Sequence, residues 1–165
     1  MQSLKNAVIN GAVVFALLFG LTLSATAATD FEEAKALAEK GDAWKQGILG
    51  IYYENGMGVS QDYAKAFYWY QKAANQGNNF SQFSMGHAYS AGKGVRQDHS
   101  KALEWFKKSA AQNNTFAQNY IGIIYEKGEG VRQNKTTAKE WYGKACDNGY
   151  QTGCDDYKRL NEQGY

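Results

Sequence analysis

From residue 43 onward, apolar residues return at helical spacing and the whole pattern returns every 36 residues. One set of glycines falls at Gly50, Gly86 and Gly122, with tyrosines three places later at Tyr53, Tyr89 and Tyr125. Glycine pairs follow at Gly56/Gly58, Gly92/Gly94 and Gly128/Gly130, each closed by a valine, Val59, Val95 or Val131. Then come Gln61, Gln97 and Gln133, and after them Asp62, Asp98 and Asn134. Ala66, Ala102 and Ala138 complete the row with Trp69, Trp105 and Trp141, so three of the four tryptophans share one place. A period of this length marks an architecture of stacked repeats.

Each row predicts two helices. Asp62, Asp98 and Asn134 are N-cap residues whose side chains accept from free backbone N–H groups at the start of the second helix. Ala66, Trp69, Tyr70 and Ala73 follow at helical spacing as an apolar stripe. Gly77 and Gly149 stand where a left-handed stop is wanted, and Asn113 is the tolerable substitute between them. In the first helix Leu49 and Tyr53 belong to the buried stripe, and Gly50 between them lets a neighbouring helix approach closely. The glycine pair reads as a turn, with the valine set against the core. A dinucleotide fingerprint would need a third glycine where Gln61, Gln97 and Gln133 stand, and a strand before it.

The flanks read as half repeats. FEEAKALAEKGD aligns with a second helix but lacks the tryptophan and is more charged, as an N-terminal cap requires. The last fifteen residues align with a first helix, with Lys158 in place of the close-contact glycine. The organisation expected is a signal segment at 1–28, a capping helix at 29–42, repeats at 43–78, 79–114 and 115–150, and a C-terminal capping helix at 151–165. The fold class is all-α, an α/α solenoid, and three repeats with polar ends is about the smallest stable array.

Residues 1–28 change the picture of compartment. Lys5 precedes the apolar run AVINGAVVFALLFGLTL, and SATAA then offers cleavage after Ala27 or Ala28. That order is a secretory signal peptide, with an uncleaved anchor as the alternative. The expected location is the periplasm, or the outside of the cell, with no stable membrane insertion after cleavage. Beyond residue 28 stand 17 of the 18 Lys and Arg and all 16 acids, interleaved and near neutrality. A nucleic-acid binder should show a one-signed face, and none is present. Cys146 and Cys154 form an even, closely spaced pair, which in an exported chain suggests a disulfide. Two cysteines without an adjoining histidine are too few for structural zinc, so neither a metal nor a cofactor is expected.

The row LGIYYENGMGVSQDYAKAFYWYQKAANQG resembles the Sel1-like repeat, a relative of the tetratricopeptide repeat, over three copies between 43 and 150. Asn134 and Asn113 are the departures from its pattern. KACDNGYQTGC resembles more narrowly the Hcp type of Sel1 protein. In that type cysteines eight apart tie the end of one helical pair to the start of the next, which implies a Cys146–Cys154 clip on the terminal cap. The same resemblance implies penicillin binding and weak β-lactamase activity as an alternative function, a chemistry that needs its own residues. Ser90-Ala-Gly-Lys93 has the S-x-x-K spacing, but it falls in a glycine turn, and no S-D-N or K-T-G element accompanies it. His87 takes the place of Ile51 and Ile123, and His99 follows a cap, where it is expected to be solvated. Glu32/Glu33 and Asp155/Asp156 read as solvated faces of the caps. No catalytic set is expected.

What remains is surface. On the first helices, positions opposite the buried stripe give Gly47, Ile51 and Glu54, then Phe83, His87 and Ser90, then Asn119, Ile123 and Glu126. In a solenoid this side is the expected concave face. An Ile51–Phe83–Ile123 strip rimmed by Glu54 and Glu126 suits a protein or peptide partner with apolar anchors and some basic character. The function expected is a non-catalytic scaffold or adaptor, with a secreted effector or adhesin as a further alternative.

Overall fold

A computed structural model describes residues 29–165, which form helices joined by turns and short irregular links. The signal segment expected at 1–28 lies outside these residues. Helix α1 covers 29–39. It is followed by α2 (Ala43–Asn55), α3 (Tyr63–Asn75), α4 (Asn79–Ala91), α5 (His99–Ala110), α6 (Thr115–Lys127), α7 (Lys135–Asp147) and α8 (Gln151–Glu162). Helices α2/α3, α4/α5 and α6/α7 are the three expected pairs, and from α2 onward the extensive contacts are between helices adjacent in sequence. This is the all-α helical array that the period predicts.

The local chemistry repeats with it. Asp62, Asp98 and Asn134 each accept from the backbone N–H three residues on, at 3.0 Å. The first helices are capped the same way by Asp42, Asn78 and Asn114, a set the sequence reading did not single out. Helix α8 has Tyr150 at its N-cap position and no side-chain cap. Gly56, Gly92 and Gly128 take the left-handed conformation, with φ of 69°, 68° and 75°. The glutamine five places later then locks the turn, since Gln61, Gln97 and Gln133 donate to the carbonyls of Glu54, Ser90 and Glu126 at 2.7, 2.8 and 2.7 Å. Val59 and Val131 pack on the core, as expected. Asn113 supplies a left-handed stop at φ 61°.

Close approach at the repeated glycine is direct. A Cβ on Gly50, Gly86 or Gly122 would lie 2.5, 2.6 or 2.5 Å from the ring of Tyr70, Phe106 or Tyr142. The second helix of each pair therefore lays an aromatic ring flat where the first helix has no side chain. The tryptophans share a different role: Lys72, Lys108 and Lys144 sit over Trp69, Trp105 and Trp141, at 5.0, 4.0 and 4.1 Å. These cation–π stacks lie one per repeat.

Junctions between pairs are latched at a constant interval of eight residues. Gln46, Gln82 and Gln118 donate to the carbonyls of Ala38, Ala74 and Ala110. At the last junction the same two places carry Cys146 and Cys154, joined as a disulfide with a Cα–Cα distance of 4.5 Å. The three buried glutamines also accept from Gln76, Gln112 and Asn148 of the next turn region, each 30 residues on. A buried amide with both ends satisfied holds helix order without a charge.

Candidate functional site on the first-helix face

The residues singled out on the first helices differ in burial. Ile51, Phe83 and Ile123 are half-buried. Ile51 and Ile123 pack against the first and third apolar clusters. Phe83 sits among Phe106, Phe116 and Tyr120, with ring centroids at 5.6, 6.1 and 5.5 Å. Gly47 is buried, because α2 meets Ser81 of α4 there and a Cβ would lie 2.8 Å from its hydroxyl. Asn119 is only 4% exposed and does not belong to an open face. His87 faces Tyr120 at 6.3 Å, and Ser90 is half-buried. His99, expected in solvent, is instead half-buried with Nδ1 enclosed. A Cβ on Gly130 would lie 2.7 Å from its Cβ, so the next repeat's turn rests on it.

The exposed apolar groups lie one turn nearer the helix starts. Trp44, Phe80 and Phe116 are 62%, 37% and 52% exposed. They are 36 residues apart, so each repeat presents one aromatic ring at the same place. The signal was present in the row, since 44, 47, 51 and 54 follow helical spacing. It was hidden because the residue changes from Trp to Phe. Phe116 extends the row to Tyr150 at 5.1 Å.

Two cavities open beside this row. One, of about 200 Å3, lies between Trp44, Ile48, Ile51 and Phe80. The other, of about 240 Å3, runs from Glu54 past Phe67, Phe80 and Phe83 to His87, Lys93 and Tyr120. Phe80 borders both. In the larger cavity Glu54 accepts from the Tyr70 hydroxyl at 2.7 Å and from Lys93 Nζ at 3.4 Å. Burial, and then the bond to Glu54, raises the Tyr70 hydroxyl well above its ordinary value, so it stays a donor. Burial, and then the nearby Lys93 charge, lowers the His87 imidazole.

Glu126 occupies the equivalent place two repeats later. It accepts from Tyr142 at 2.7 Å and from both terminal nitrogens of Arg159, at 2.7 and 2.8 Å. Asp156 holds the same guanidinium at 3.0 Å. The Arg159 bonds, against a smaller opposing effect of burial, hold Glu126 below its ordinary value. Glu126 is thus committed inside the array and is not a free rim charge.

Lys93 is directed at Glu54 and over the Tyr63 ring at 5.2 Å, so its amine is not held against Ser90 as a base. Among the described residues no group of three or more potential metal ligands occurs, and no helix there is long and apolar enough to cross a membrane.

The Sel1 repeat family model matches residues 47–78, 79–114 and 115–150, which is most of the chain. The chain belongs to the Sel1-repeat family. Members of this family are generally protein-interaction scaffolds and typically non-catalytic. Among solved structures this Sel1-repeat chain is similar to a protective antigen present in uropathogenic Escherichia coli strains. The identity is 32% and the TM-score 0.78, over 84% of this chain and 30% of that one. It is also similar to a Sel1 repeat protein from Oxalobacter formigenes, at 28% identity and TM-score 0.71, over 86% of this chain and 60% of that one. It therefore spans about a third of the first relative's length and under two thirds of the second's. Helicobacter pylori cysteine rich protein B, at 22% identity and TM-score 0.64, shares the fold over 78% of this chain and 95% of its own. A search of curated proteins returned no match.

Proposed function

We propose that this protein is an exported, non-catalytic adaptor that holds a protein partner along the first-helix face. The observation that carries the reading is the row Trp44, Phe80 and Phe116, exposed once per repeat beside two cavities. Exposed aromatic rings at fixed spacing are costly to leave in water, and they supply rigid anchors for an extended partner. The N-terminal segment, with Lys5, its apolar run and SATAA, supports export to the periplasm or beyond.

The test places a photo-crosslinking amino acid at position 44 or 116, and as a control at position 68, an exposed second-helix site. Crosslinks to one and the same protein from 44 and 116, absent from 68, are expected. Equal labelling from 68, or none from the first-helix positions, overturns the reading. N-terminal sequencing of the recovered chain should begin at residue 28 or 29. A chain that still begins at Met1 would overturn cleavage of the signal segment.

A further inference from the structure

The two ends of the array treat one acidic position differently. At the C-terminal junction Glu126 is capped by the Tyr142 hydroxyl and clamped by the fork of Arg159. Two repeats earlier Glu54 accepts the same bond from Tyr70, the counterpart of Tyr142. The counterpart of Arg159 in that register is His87, which like Arg159 stands 33 residues beyond its glutamate. An imidazole is too short to reach as a guanidinium does, and His87 faces Tyr120 instead. The position that arginine fills at one end borders the 240 Å3 cavity at the other. In the middle junction all three members change together, to Ser90, Phe106 and Ile123. Carboxylate, hydroxyl and cation site thus behave as one unit.

We propose that the cavity receives an arginine side chain of the partner, with Glu54 taking its guanidinium as Glu126 takes that of Arg159. This rests on the reading of the first-helix face as a docking surface and names a side chain that enters it. The fit is chemical as well as positional. A guanidinium is planar and weakly hydrated, so it stacks on the rings of Phe80, Phe83 and Tyr120 while its fork meets the carboxylate. Lys93 holds Glu54 by one contact at 3.4 Å, longer than both Arg159 bonds to Glu126. An ammonium on a flexible stem is the weaker competitor for a carboxylate that a fork can grip twice.

The experiment is calorimetric titration of the full chain, purified as its host produces it, with acetyl-Leu-Arg-Leu-amide. The citrulline peptide, equal in shape and uncharged, is titrated beside it. The arginine peptide should bind at least about tenfold more tightly, the scale of one charge-assisted pair. Glu54→Gln, which keeps an acceptor for Tyr70, should abolish that preference. His87→Arg, which supplies the missing side chain from within, should block the arginine peptide and raise the melting temperature. Equal binding of the two peptides, no binding of either, or a preference that survives Glu54→Gln each overturns the pocket. So does a His87→Arg variant that is no more stable and still binds. If both peptides bind equally and both are lost in Trp44→Ser/Phe116→Ser, the docking face stands and only the arginine pocket fails.

Discussion

Alanine stabilises an exposed helix position relative to glycine by about 1 kcal/mol, yet at Gly122 it should destabilise. The added Cβ would lie 2.5 and 2.6 Å from two ring carbons of Tyr142. An ordinary carbon contact is about 3.5–4.0 Å, so the shortfall is roughly one ångström. The ring cannot tip away. Tyr142 is only 1% exposed, and its hydroxyl is fastened to Glu126 at 2.7 Å, which Arg159 clamps in turn. Helices α6 and α7 must therefore part, an overpacking cost of about 1–3 kcal/mol that typically exceeds the helix gain. A net loss of up to about 2 kcal/mol should lower the melting temperature by up to roughly 6 °C. Gly143→Ala in α7 is the matched control. Its Cβ would meet the Tyr157 ring at 3.3 Å, and that ring is 39% exposed and free to yield. Here the helix term should win and the melting temperature rise. Thermal unfolding followed by circular dichroism reads both. A Gly122→Ala variant as stable as the parent, or more so, would refute the flat ring-on-backbone contact as a determinant of helix spacing.

Two further predictions follow from the C-terminal end. Reducing the Cys146–Cys154 bridge, whose loop spans eight residues, should cost about 2–3 kcal/mol by the chain-entropy account. Hydrogen exchange should then rise in α8 and leave α2–α5 unchanged; a uniform rise would contradict a local latch. Glu126 is held below its ordinary value of 4.5 by the Arg159 bonds first, so its contribution is present above that pH and is lost as the pH falls below it. The gap in melting temperature between parent and Glu126→Gln should shrink below about pH 4.5; a gap constant across that range would show that Glu126 does not stabilise through its charge.

The sequence carried the architecture because repetition isolates what backbone chemistry demands. Caps at Asp62, Asp98 and Asn134, turns at the glycine pairs and the small residue at Gly50, Gly86 and Gly122 each satisfy a local requirement. A local requirement recurs as the same letter. The site was less legible for two reasons. Exposure is set by how one pair packs on the next, so Asn119 is buried although its spacing places it with Ile123. The exposed position also repeats in character and not in identity, so Trp44, Phe80 and Phe116 form a row of rings but not a row of letters. Ties such as Glu126–Arg159 reach past the pair into α8, and nothing within one row announces them.

The preference of each helix for its immediate neighbours in sequence has a kinetic consequence. The longest side-chain bond described above, Lys93 to Glu54, spans 39 residues, so folding needs to close no loop much longer than one repeat. Chains with such local contacts fold fast and can do so progressively. A chain emerging end-first through a narrow channel would then find the docking place for each new pair already built, and would have little time in which its aromatic rings lie open to the wrong partner.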